Sequence, residues 1–263
     1  MSGTRTETSA VTGSGIVTAA VLVIGDEILS GRTKDKNIGF IAEYLTDIGI
    51  DLKEVRVVPD EEPEIVAAVN ALRTRYTYLF TTGGIGPTHD DITADCVAKA
   101  FGVPLEYHPQ AVEIMRKRIA ASGGEMNEAR MRMTRVPQGG ELVLNKVSGA
   151  PGFRIGNVIV MAGIPSVMQG MIEYVTPQLK TGARMLSESV RADAREGDIG
   201  TELGQVAKAL PDVIFGSYPF ADDTGSPNTN VVIRSRDPQR LAAAKQAVEA
   251  MLARVKASLA AKA

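Results

Sequence analysis

Residues 81–93 read TTGGIGPTHDDIT, directly after the strand-like run YTYLF at 76–80. Three glycines, a proline, a histidine and two adjacent aspartates share this stretch. Glycines just past a strand let backbone N–H groups converge on an anion. Carboxylates repel that same anion. The two belong together when a cation lies between them, or when the carboxylates face another part of the ligand. In an α/β sheet, ligands bind at the carboxyl ends of strands, so the rest of the chain should alternate strands with helices.

It does so on both sides of the loop. Residues 18–24 are β-rich and end at Gly25. Ile38, Ile41, Ala42, Leu45 and Ile48 recur at helical spacing over 37–48. A strand over 52–58 is broken by Pro59-Asp60, and a helix over 61–73 carries Pro63 in its first turn. After the strand at 76–82 comes a helix over 91–101, with Thr88 or Asp90 as N-cap. Residues 108–121 read as a helix, 158–162 as a further central strand and 166–175 as the helix behind it. The alternation predicts a parallel sheet with helices on both faces. Residues 123–140, rich in Met and Arg, show no clear period.

The pattern changes near 181–188. A strand over 189–194, a helix over 201–210, strands over 213–218 and 230–235, and an Ala-rich helix over 238–259 follow. The order β-α-β-β-α reads as a small α+β unit. The expected organisation is a disordered tail over 1–16, a main α/β domain over 17–185 and a small subdomain over 186–263.

The 263 residues are 44% hydrophobic and carry 29 basic against 31 acidic side chains. A sizeable core is possible, and the basic excess of an obligate nucleic-acid binder is missing. The single cysteine, Cys96, excludes an intrachain disulfide and fits a reducing compartment. Its helical spacing in ITADCVAKAF makes it a buried structural thiol. The apolar IVTAAVLVIG at 16–25 is too short to span a membrane and is followed by GDEILSGR, not by a small-residue cleavage site. A cytoplasmic protein with no membrane partner is expected.

Four punctuated stretches follow predicted strands: GDEILSG at 25–31, Pro59-Asp60-Glu61, residues 81–91, and Gly163-Ile164-Pro165-Ser166. Meeting at one sheet edge, they bring Asp26, Glu27, Asp60, Asp90 and Asp91 toward one crevice. Oxygen-rich clusters suit Mg²⁺ or Mn²⁺, and a hard cation bridging phosphate and aspartate relieves the repulsion. Gly83, Gly84 and Gly86 can present N–H groups to phosphate, and Gly84→Val is expected to harm ligand binding more than folding. The alternative is that the acids cap helices, as Glu61 and Asp90 lie at helix starts. His89 reads either as a general base or as a solvent-exposed side chain, and His108 as a cap. The loop NKVSGAPGF at 145–153 is either an ordinary hairpin or a second anion site built from Lys146 and the amides of Gly149 and Gly152.

TGGIGPTHDDIT at 82–93, GDEILSG at 25–31, VVPDE at 57–61, NKVSGAPGF at 145–153 and GIPSVM at 163–168 together resemble the amino-terminal domain of the competence/damage-inducible protein CinA, in the MoaB/Mog molybdopterin-binding superfamily. The resemblance covers roughly residues 17–255. It implies a three-layer α/β/α MoaB/Mog-like domain followed by a small α+β subdomain of KH type. It implies catalytic and metal-binding roles for Asp60, Asp90 and Asp91. Ligand or phosphate contacts would come from Gly25, Asp26 and Glu27, from Thr82, Gly83, Gly84, Gly86, Pro87 and Thr88, and from Asn145, Gly149, Ala150, Pro151 and Gly152, with Gly163 and Pro165. Relatives near Mog bind molybdopterin and use aspartates matching Asp60 and Asp91 (or Asp90) in adenylyl transfer or molybdate insertion. CinA-type domains are associated with metal-dependent hydrolysis of ADP-ribose and related nucleotide pyrophosphates, and eukaryotic FAD synthases carry a similar domain.

The leading expectation is therefore a hydrolase of nucleotide pyrophosphates using Mg²⁺, Mn²⁺ or Co²⁺. The rivals are a molybdopterin-binding or molybdenum-cofactor biosynthesis protein and a non-catalytic nucleotide-binding module. The partner would be a small nucleotide or pterin, not nucleic acid, and a homo-oligomer is expected. CinA proteins often continue into a nicotinamide mononucleotide deamidase domain; with the chain ending at Ala263, that activity is expected to be absent. NEARMRMTRVP at 127–137 only loosely matches the Asn…Lys-Gln…Pro pattern of CinA, with Arg132 at the Lys position and Met133 at the Gln position.

Overall fold

The computed structural model describes residues 15–261, so the expected tail falls almost entirely outside the described residues. The chain separates into two compact units that meet at Gly182 and Ala183. The first runs β1 (Val17–Ile24), α1 (Asp26–Leu29), α2 (Asn37–Asp47), β2 (Ile50–Val58), α3 (Glu62–Arg75), β3 (Tyr78–Thr82) and α4 (Thr93–Phe101). It continues through β4 (Leu105–Tyr107), α5 (Pro109–Ala121), α6 (Glu128–Arg132), β5 (Arg135–Pro137), β6 (Glu141–Val143), β7 (Gly152–Ile155), β8 (Val158–Met161) and α7 (Pro165–Val175). The aperiodic stretch 123–140 thus resolves into α6 and β5, which pairs antiparallel with β4.

The main sheet has the order β2-β1-β3-β8-β7-β6. Its first four strands are parallel, but β7 and β6 are antiparallel to their neighbours. The all-parallel expectation is corrected to a mixed sheet. The reason is local: a two-residue turn at Gly156-Asn157 joins β7 to β8, with Gly156 at φ 55°. So short a connection can only reverse the chain, because a parallel crossover needs a dozen residues or more.

Alternation along β1 builds the layers. Ala19, Val21 and Val23 pack with Ile41 and Leu45 of α2 and Met168 of α7 on one face. Ala20, Leu22 and Ile24 pack with Ile65 and Leu72 of α3 and Val97 of α4 on the other. A strand covered on both faces needs no polar side, which is why this one reads as an unbroken apolar run. Cys96 lies buried in the second layer, and burial pushes its thiol up to about 12, as suits a structural cysteine.

The second unit contains β9 (Leu186–Arg191), α8 (Glu196–Ala209), β10 (Ile214–Ala221), β11 (Pro227–Ser235) and α9 (Pro238–Ala260). Its antiparallel sheet has the order β10-β11-β9. Ile199 and Leu203 of α8, Val231 and Ile233 of β11, and Val248 and Met251 of α9 fill its core. Asp193 takes φ 49° just after β9. Its carboxylate accepts from Lys256, Arg191 and Asn228, which together hold it down at about 2. No helix among the described residues is long and apolar enough to cross a membrane.

Candidate functional site

The glycine loop leaves the carboxyl end of β3 and is pinned from two sides. The Gly83 amide donates to the Met161 carbonyl at 3.2 Å. The Thr93 amide donates to the Gly84 carbonyl at 3.0 Å, and the Thr93 hydroxyl donates to the Gly83 carbonyl at 3.0 Å. Among the described residues, the amides of Gly84, Ile85 and Gly86 find no protein acceptor. These three donors, not that of Gly83, are open to an anion. Gly84 has φ 65°, and a Cβ there would meet the Thr93 hydroxyl at 2.1 Å. Since Thr93 is fully buried, Gly84→Val would damage the fold directly, and the expectation of a mainly ligand-binding defect is corrected.

The loop borders a crevice of about 550 Å³, within the range of small-molecule sites. Glu27, Pro87, Asp91, Ala150, Gly163 and Pro165 line it with Gly83, Gly84 and Gly86, so all four predicted strand-end stretches except the one at Asp60 contribute. Thr82 lines an adjoining lobe, and Pro151 a small recess beside Asp91. Apolar contributors that sequence reasoning missed are Ile85, Met133 and Ile164. Ile164 is exposed despite its size, at 63%, and an exposed isoleucine beside a Gly-Pro turn is a signal only once the crevice is visible.

The acids divide. Asp91 Oδ2 accepts from the Thr88 amide at 2.8 Å and from the Thr88 hydroxyl. Thr88 therefore shapes the turn through Asp91 and does not cap the following helix, whose N-cap is Ile92; Asp90 does not cap it either. Asp60 Oδ2 accepts from the Asp26 amide at 2.9 Å, tying α1 to the end of β2. Gly25 is engaged in the same junction, donating to the Val58 carbonyl. Burial raises the Asp60 carboxyl above its ordinary value; the Asp26 amide opposes this, and the charges of Asp26, Glu27 and Asp90 add to it. His89 stands in solvent with Nδ1 4.0 Å from Asp90. His108 occupies the N-cap position of α5 but makes no side-chain cap bond.

Among the described residues, no three of His, Cys, Asp and Glu converge as a metal cage. Asp60, Asp90 and Asp91, the metal-binding residues that the resemblance implies, are therefore not gathered as a three-carboxylate group. Asp26, Glu27 and Asp90 do each act electrostatically on Asp60, which fits a cation held through few protein ligands.

This crowding has a testable sign. A carboxyl raised in the folded state contributes stability that is present below the ordinary aspartate value of 3.8 and is lost as pH rises through the folded value. Asp60→Asn keeps an acceptor for the Asp26 amide and removes the charge. Its melting temperature should exceed that of the unsubstituted protein at pH 7, and the gap should close at pH 3. An equal or lower melting temperature at pH 7 would show that the carboxylate is not crowded.

The 145–153 loop is a hairpin. Asn145 Oδ1 accepts from the amides of Val147, Ser148 and Gly149 at 3.1, 2.8 and 3.4 Å, and its Nδ2 donates to Ala150. The Gly149 amide thus turns toward Asn145. Gly152 lies in β7, where a Cβ would meet the Val160 carbonyl at 2.1 Å. Its glycine serves strand packing, and of the two readings the hairpin is the one that the pairing of β6 with β7 favours.

Compared with known proteins, residues 20–181 match the family described as "Probable molybdopterin binding domain". Residues 184–258 match "FAD synthase, middle domain". A protein of Archaeoglobus fulgidus is 34% identical over 199 residues, covering 76% of this chain and 84% of its own. A CinA-like protein of Anaeromyxobacter dehalogenans is 33% identical over 170 residues; the match covers 63% of this chain and 41% of that protein. The crystal structure of a protein CinA "with unknown function" from Thermoplasma acidophilum superimposes with a TM-score of 0.58 and 30% identity, over 62% of this chain and 98% of that one.

Proposed function

The chain belongs to the family of the probable molybdopterin binding domain, its first unit being of the CinA-like, MoaB/Mog type, and from that premise we propose that its crevice binds a nucleotide diphosphate and hydrolyses the pyrophosphate bond with the help of a divalent cation. The observation that supports this most is the row of free amides at Gly84, Ile85 and Gly86 beside Glu27 and Asp91 in one crevice. The amides would take phosphate oxygens, as helix and loop N–H groups do elsewhere. Bound Mg²⁺, Mn²⁺ or Co²⁺ would neutralise the diphosphate and polarise water. Without a three-ligand cage, the fitting arrangement is one or two protein carboxylates together with substrate phosphates. Asp91 would orient the water or the metal-bound phosphate, and Asp60 and Asp90 would supply negative potential nearby.

A second reading, molybdopterin binding, is favoured by the apolar Ile85, Met133 and Ile164, which suit a flat ring. One experiment separates the two. Purified protein is incubated with ADP-ribose, FAD and NAD under Mg²⁺, Mn²⁺ or Co²⁺, and molybdopterin binding is measured in parallel. Metal-dependent release of AMP supports hydrolysis. Pterin binding without turnover supports the second reading.

We also propose a cytoplasmic homo-oligomer without a nucleic-acid partner. KH modules grip RNA with a GXXG loop between two helices. Here Gly197-Asp198-Ile199-Gly200 lies inside the single helix α8, and Asp198 would repel a phosphate backbone. The full chain should show no salt-sensitive binding to single-stranded RNA in a filter assay; micromolar binding that falls steeply with salt would refute this.

A further inference from the structure

Beside the main crevice lies a smaller lobe of about 270 Å³ that shares Glu27, Gly83 and Pro165 with it. Two of its lining residues, Asn37 and Thr82, are 4% and 1% exposed. The Asn37 Nδ2 donates to the Gly163 carbonyl at 2.8 Å, which fixes Oδ1 as an acceptor. Neither Asn37 Oδ1 nor Thr82 Oγ1 has a hydrogen-bond partner. Leaving a buried polar atom unpaired costs about 1–3 kcal/mol, so two in one lobe need a reason. Lys34 and Lys36 stand exposed at its rim, without an ion-pair partner among the described residues; of the two carboxylates that also line the lobe, Glu27 and Asp35, the second is engaged by the amides of Asn37 and Ile38.

We infer that this lobe is a recognition subsite for a ligand group presenting a hydrogen-bond donor next to an acceptor, on an anionic molecule. Asn37 Oδ1 accepts from the ligand, Thr82 Oγ1 donates to it, and the two lysines attract its charge. A ribose diol and the amide edge of a pterin share this chemistry. The inference rests on the ligand-binding reading above and deepens it: the glycine amides hold the phosphate, and this lobe reads the neighbouring sugar or ring.

Thr81 provides the control. It is the preceding residue of β3, also fully buried with an unpartnered hydroxyl, but it faces the other side of the sheet and does not line the lobe. Thr81→Val and Thr82→Val each replace an orphan hydroxyl with a methyl group, so both should melt at or above the temperature of the unsubstituted protein. ADP-ribose and pterin-6-carboxylate are then titrated calorimetrically into the full chain with EDTA present. Thr82→Val should weaken one of them about five- to tenfold, while Thr81→Val leaves affinity unchanged. A loss confined to ADP-ribose assigns the lobe to the diol, and a loss confined to the pterin assigns it to the ring edge. If every probe that binds does so equally in Thr82→Val and the unsubstituted protein, the subsite is overturned and the functional reading stands. Failure of both probes to bind the unsubstituted protein overturns both.

Discussion

Gly83→Ala is expected to be strongly destabilised. Gly83 has φ 102°, and a Cβ there would lie 2.1 Å from the Ile24 carbonyl oxygen. The obstacle is backbone in the central strand β1, which pairs with β2 on one side and β3 on the other. Gly83 cannot retreat either, because its amide holds the Met161 carbonyl. An unfavourable φ and an unavoidable overlap together cost about 3 kcal/mol or more, a large share of a stability of roughly 5–15 kcal/mol. Gly31→Ala is the comparison: φ is 71° there too, but nothing lies within 4 Å, so only the left-handed penalty of about 1–2 kcal/mol applies. Denaturant midpoints of the two variants should differ clearly. A Gly83→Ala protein as stable as Gly31→Ala would mean that the loop and β1 can separate without cost.

The same geometry explains what was legible in the sequence. The apolar run of β1 and the stripes of α2 and α3 announce themselves because burial selects for periodicity. The glycine loop announced itself through residue type, and the crevice does form at the strand ends where α/β sheets bind ligands. What stayed hidden depended on who partners whom. The antiparallel turn at Gly156-Asn157 is only two residues long, and the short strand before it, β7, begins inside the glycine-rich stretch that reads as a loop. Gly152 looks like an anion cradle in sequence and is a packing glycine under Val160. Asn145 looked like a ligand contact and spends its side chain on its own loop. Asn37 carries no signal in the sequence, because a polar residue opening a helix is ordinary; only its burial and its bond to Gly163, 126 residues away, single it out.

Asp91→Asn should reduce metal-dependent turnover by about 100-fold or more, the scale on which a positioned acid or base contributes, while leaving the melting temperature nearly unchanged. The two halves of that expectation come from different atoms. Asp91 Oδ2 is engaged by Thr88, and an asparagine can offer its carbonyl oxygen to the same donors, so the turn survives. Gly86 leaves the carboxylate room beside it, since a Cβ there would lie 2.6 Å from Oδ2; the two bonds from Thr88 hold the carboxylate at the amide row. What the substitution removes is the negative charge at the edge of the crevice, which a divalent cation on a diphosphate requires. Raising the metal concentration should recover little activity if Asp91 orients water, and more if it only strengthens metal binding. Turnover within a factor of about two of the unsubstituted protein at saturating metal would confine Asp91 to building the loop. Asp90, 60% exposed with His89 as its near neighbour, would then be the acid to replace next.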